Sequence, residues 1–102
     1  PKELNKYLPQ SSYGQGEVVA SPFQMARVAA TIAAGGRMPY GRWILDESNP
    51  RVEEPRSLIA PELAQRLGVA MRGVVTQGTG RAAAASAVPI AGKTGTAELA
   101  RR

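Results

Sequence analysis

The sequence predicts a chain that mixes helices and strands, in the order loop, helix, strand, helix, strand. That expectation rests on a capped apolar helix over 21–34 and a second, proline-initiated apolar stripe over 61–74. It rests also on two short apolar runs of strand character, at 42–46 and 88–99. At 102 residues the chain is one domain or a portion of one.

Residues 1–16 are polar and turn-rich, and end in "SYGQG". Gly14 and Gly16 bracket Gln15, which suggests a tight loop with backbone at positive φ and gives Gln15 an architectural role. The strongest helix signal follows, "SPFQMARVAATIAAGG". Ser21 suits the N-cap, Pro22 the first helical position, and Gln24 completes a capping box. Met25, Val28, Ala29 and Ile32 share one face, Ala26, Ala30 and Ala33 form a neighbouring small-residue face, and Gly35-Gly36 stops the helix. "RWILD" at 42–46 reads as a short strand between turn formers, and 48–57 as an exposed connection. A second helix begins at Pro61, with Leu63, Leu67, Ala70, Met71 and Val74 on one stripe, and ends in "QGTG". "RAAAASA" lies between glycines and a strand, which favours a flexible connection over the helix its propensity allows.

Composition narrows the chemistry. Apolar residues make up 43% of the chain, but many are alanine and aromatics reach only 5%, so the core is thin and should pack against partners outside this segment. The charge of +5 comes from singly scattered basic residues, with only Arg101 and Arg102 adjacent and no interleaved aromatics. No nucleic-acid partner is expected. With no cysteine and no histidine, disulfides, thiolate metal sites and the usual general base are all missing, so no metal and no cofactor is expected. Acid–base work falls to lysine or a carboxylate. No apolar run approaches the ~18 residues of a bilayer span. The start at Pro1, without methionine, suggests a processed or excised segment.

The stretch "AVPIAGKTGTAE" at 87–98 carries the chemistry. A phosphate-binding loop ends in Gly-Lys-Thr, and a serine acyl-enzyme carries Lys-Thr-Gly on a strand beside its nucleophile. The first reading meets three obstacles. Pro89 removes a backbone donor inside the would-be loop, Gly95 opens the helix that should hold the phosphate, and "RAAAASA" is a poor preceding strand. The second needs a strand edge. Gly95 would let a substrate backbone lie against that edge, with Lys93, Thr94 and Thr96 placing a cation and two hydroxyls beside it. The triplet alone also fits an exposed threonine-rich strand with a solvated lysine.

Taken in order, "GQGEVVASPFQMARVAATIAAGG", "MRGVVTQGTG" and "AGKTGTAE" closely resemble penicillin-binding proteins, the DD-transpeptidases of bacterial cell-wall synthesis. The resemblance runs from Tyr13 to Glu98, and its first and last blocks look more like the monofunctional, class B enzymes. It implies an α/β fold, an antiparallel sheet flanked by helices, of the penicillin-binding and serine β-lactamase type. Residues 1–102 would form the C-terminal portion of one such domain, supplying a central strand and two helices. The resemblance gives Lys93 a place in the hydrogen-bond network of the catalytic serine and lysine, and gives Thr94 and Thr96 the substrate carboxylate. The Thr96 N–H would form half of an oxyanion hole, and Gly95 would keep the edge open. It also implies peptidoglycan stem peptides as substrates, β-lactams as covalent inhibitors, and the extracytoplasmic face of the bacterial cytoplasmic membrane as location. A serine β-lactamase or penicillin sensor shares fold and triplet; a non-catalytic interaction module is the remaining alternative. The family's Ser-x-x-Lys and Ser-x-Asn motifs do not occur in these residues, so this chain alone is expected to be inactive and to need the missing segments of its own domain.

Overall fold

The computed structural model describes residues 2–16, 18–43, 48 and 54–97. Among them the order is α1 (Lys2–Ser11), α2 (Pro22–Ala33), β1 (Arg37–Met38), β2 (Arg56–Ser57), α3 (Pro61–Thr76) and a 3-10 helix (Arg81–Ala85). The opening segment is therefore helical, where the sequence suggested turns. Leu4, Tyr7 and Leu8 do fall at helical spacing, and Lys, Glu and Leu are good helix formers. Pro9 lies inside α1, but so near its end that it removes a single intrahelical bond. The chain then wraps back on the helix end, with the Gln15 N–H donating to the Gln10 carbonyl at 2.9 Å. Gly14 and Gly16 hold that loop at φ of 81° and 74°, the left-handed region where glycine carries no steric penalty.

Helix α2 forms as its caps dictate. Ser21 is extended, and its hydroxyl accepts from the Gln24 N–H at 3.1 Å, satisfying one orphan donor of the first turn. At the other end the Gly36 N–H reaches the Thr31 carbonyl at 2.9 Å and the Gly35 N–H the Ile32 carbonyl at 3.4 Å, a Schellman closure. Gly36 sits at φ 92°, and a Cβ there would run into the Ile59 backbone carbonyl. Its own carbonyl accepts from Leu58 at 2.9 Å, so the helix terminator also seeds the pairing of β1 with β2. That pair is antiparallel, with Arg37 opposite Ser57 and Met38 opposite Arg56. The expected connection over 48–57 thus ends in a short strand.

The run "RWILD" falls mostly outside the described residues. Trp43, which is described, is 82% exposed and stacks on Phe23 with ring centroids 4.3 Å apart. Helix α3 starts on Pro61 with Glu62 in its first turn, where a carboxylate favours the helix dipole. Its C-terminus is tied off by the "QGTG" segment, since the Gly78 and Gly80 N–H groups both reach the Val74 carbonyl, at 3.1 and 3.0 Å. "RAAAASA", expected to be a flexible connection, opens with the 3-10 helix instead, its alanines keeping local hydrogen bonds where the chain turns.

The predicted apolar faces of α2 and α3 meet across an open cleft of about 590 Å³, lined by Met25, Val28, Ile32, Leu67, Met71 and Val74. They only half cover each other. Among the described residues the buried apolar side chains are Ala64 and Val75, joined by Thr31, whose hydroxyl is satisfied by the Arg27 carbonyl at 2.7 Å. A radius of gyration of 17.0 Å exceeds the ~13 Å of a compact domain of this length, which fits the thin core read from composition.

Candidate functional site

The motif segment is laid along α3 and fastened at four points. The Arg72 guanidinium donates to the Ile90 carbonyl at 2.5 Å, and the Gly92 N–H donates to the Met71 carbonyl at 3.1 Å. One contact uses the Met71 backbone carbonyl and the other the Arg72 side chain, both from the same turn of α3, so the helix sets the path of residues 90–92. Next, the hydroxyls of Thr79 and Thr94 meet at 2.7 Å. Thr79 is placed there by the glycine turn that ends α3. Finally, the Gln15 side-chain amide donates to the Thr96 carbonyl at 3.0 Å, a contact that spans 81 residues of sequence.

Lys93, Thr94, Gly95 and Thr96 are all exposed. The Lys93 ammonium folds onto its neighbour, donating to the Thr94 carbonyl at 2.7 Å, with the Thr94 hydroxyl 3.5 Å away. It also lines the cleft between α2 and α3. A Cβ added to Gly95 would meet nothing within 4 Å, so this side of the motif is open space. Gly95 is not among the glycines at positive φ, so its backbone does not itself demand glycine.

The expected strand over 88–99 is not formed in its described part, 88–97. Strand geometry is held by a ladder to a neighbour, and among the described residues no backbone hydrogen bond reaches 93–97. No helix begins between Thr94 and Ala97 either, which removes the element a phosphate loop requires. Among the described residues no cluster of potential ligands could hold a metal ion, and no helix is long and apolar enough to cross a membrane.

Two residues at this site were read differently from sequence. By sequence, Gln15 belongs to loop architecture and Thr79 to the segment that ends the second helix. Both now touch the motif. The signal for Thr79 was available in principle, because the turn that ends α3 must return toward the segment that packs on α3. For Gln15 no local signal exists, since its partner is distant in sequence.

A model of the penicillin-binding protein transpeptidase domain family matches residues 2–102. The chain belongs to that family. Its helices and its two-stranded antiparallel sheet are thus part of the α/β penicillin-binding fold. This transpeptidase segment is also similar to the peptidoglycan D,D-transpeptidase PbpA of Mycolicibacterium smegmatis, with 38% identity over 99 residues. The alignment covers 89% of this chain and 20% of that protein, so the chain spans about a fifth of its relative's length. No solved structure matches it.

Proposed function

We propose that this chain supplies the Lys-Thr-Gly-Thr wall of a serine acyl-transfer site in a peptidoglycan DD-transpeptidase. The observation that carries the reading is the open space over Gly95, flanked on an exposed segment by the Lys93 ammonium and the hydroxyls of Thr94 and Thr96. A substrate backbone laid there would meet no side chain, while a cation and two hydroxyls stand ready for its carboxylate. The Thr96 N–H, unclaimed by any described backbone partner, would face the oxygen on which charge develops as the acyl carbonyl becomes tetrahedral. Lys93 would lend positive charge to the substrate carboxylate and to the proton network around the nucleophile.

In this reading residues 1–102 form the C-terminal portion of one transpeptidase domain. The serine that attacks, and the lysine that takes its proton, belong to a Ser-x-x-Lys motif that these residues do not contain. The substrate is a peptidoglycan stem peptide, and β-lactams acylate the same serine. The working location is the extracytoplasmic face of the cytoplasmic membrane. The test is the second-order rate of β-lactam acylation in the intact protein. Lys93→Ala should lower it at least tenfold while leaving the thermal midpoint near that of the parent. Unchanged acylation in a folded Lys93→Ala protein would reduce the motif to an exposed surface segment.

A further inference from the structure

We infer that Gln15 and Thr79 act as a two-point clamp that fixes the conformation of the motif around Gly95. Gln15 holds the Thr96 carbonyl at 3.0 Å, and Thr79 holds the Thr94 hydroxyl at 2.7 Å. The two anchors therefore grip the residues on either side of the glycine. That is where a clamp is needed. Glycine has the widest backbone freedom of any residue, and no described backbone hydrogen bond constrains 93–97. An oxyanion donor is useful only if it is already aimed when charge develops, so a segment free to rotate at Gly95 would lose much of its effect. With the Thr96 carbonyl held on one side and the Thr94 hydroxyl on the other, the Gly95 torsions and φ of Thr96, which aim the Thr96 N–H, are restrained between two fixed points. Between them the Thr96 N–H gains a defined direction.

Both anchors are themselves held. The Gln15 backbone is tied to the Gln10 carbonyl at 2.9 Å, in a loop held by Gly14 and Gly16 at positive φ. Gln15 is only partly exposed, unlike the motif it reaches. Thr79 lies between two glycines whose N–H groups close on Val74, so its hydroxyl rides on the end of α3. The loop after α1 and the turn after α3 thus converge on one tetrapeptide from different parts of the chain. Neither residue reaches the reacting atoms in this scheme; both are positioning residues.

The inference rests on the proposed acyl-transfer role, and the experiment separates the two. In the intact protein, Gln15→Met keeps length and shape but removes the donor without adding charge. Thr79→Val removes the hydroxyl, and Thr79→Ser restores it. The readouts are hydrogen exchange of the peptide spanning 93–97, and acylation by a β-lactam resolved into its binding constant and its chemical rate. Gln15→Met and Thr79→Val should each speed exchange in 93–97 and slow the chemical rate about three- to tenfold, with binding less affected. Thr79→Ser should recover both. Lys93→Ala serves as the reference. If it abolishes acylation while both clamp variants leave exchange and chemical rate unchanged, the clamp is overturned and the acyl-transfer reading stands. If Lys93→Ala and the clamp variants alike leave acylation unchanged, both fall together. Should Gln15→Met fail to fold, the Thr79→Val and Thr79→Ser pair decides alone, and equal behaviour of those two overturns the clamp.

Discussion

Gly95→Ala separates what the motif needs for folding from what it needs for chemistry. The added methyl would meet no heavy atom within 4 Å, and the backbone is not in the positive-φ region. The described chain therefore offers no steric reason against alanine, and the loss of unfolded-state freedom favours it by about 0.4–1 kcal/mol. A folded-state cost above ~1 kcal/mol is not expected. The same methyl would occupy the space where a substrate backbone is proposed to lie. Displacing that backbone by a methyl radius disturbs the contacts proposed for it on either side, at Thr94 and Thr96. Losing one or two such hydrogen bonds costs about 1–3 kcal/mol of transition-state binding, or roughly five- to 150-fold in rate. The assay is the second-order acylation rate of the intact protein with a fluorescent penicillin, beside its thermal midpoint. Acylation within twofold of the parent, with folding intact, would show that nothing binds over Gly95. A collapse of the midpoint would show that the glycine serves the fold, and would refute the reasoning from the other side.

Other perturbations bear on the same scheme. Thr96→Val removes a hydroxyl but leaves the backbone N–H, so it should slow acylation by about 1–3 kcal/mol and less than Lys93→Ala does, as the two rates measured side by side will report. The 102-residue chain by itself should take up no penicillin covalently, because it holds no Ser-x-x-Lys; stoichiometric labelling seen by mass spectrometry would contradict that. Gly36→Ala should behave opposite to Gly95→Ala. With φ at 92° and the Ile59 carbonyl in the path of a Cβ, it should destabilise the intact protein by about 2 kcal/mol or more, read from denaturant midpoints.

Both long helices were legible because their signals are local. Ser21, Pro22 and Gln24 specify one start, and Gly35-Gly36 specify the stop, through hydrogen bonds that span no more than five residues. Pro61 and the glycine turn after Thr76 are local in the same way, the turn closing through hydrogen bonds of four to six residues. Helix α1 is less legible because residues 1–16 read as polar and turn-rich up to "SYGQG", although Leu4, Tyr7 and Leu8 keep helical spacing. The strand over 88–99 was expected on β-propensity, which describes fit to a pleated neighbour and not a preference of the isolated backbone. Within the described part of that run no such neighbour is present, and residues 93–97 follow the path that α3 and two side-chain contacts impose.

The site divides along the same line. Lys93, Thr94, Gly95 and Thr96 are contiguous, so sequence alone is enough to propose them together; the family match bears out the resemblance to the family, while the roles of these four residues are the proposal made above. What holds the motif could not be read that way. Arg72 and Ile90, Thr79 and Thr94, and Gln15 and Thr96 are pairs separated by 18, 15 and 81 residues. Each looks unremarkable in its own neighbourhood: an arginine on a helix, a threonine in a turn, a glutamine between glycines. Their common target appears only once α3 has turned "QGTG" back on itself and the loop after α1 has closed over the same segment. A glycine-centred motif has little conformational preference of its own, so its shape must come from such distant partners. The residues that make the Lys-Thr-Gly-Thr segment recognisable are therefore distinct from those that make it rigid, and substitutions at Gln15 or Thr79 can erode the proposed acylation without altering a single motif residue.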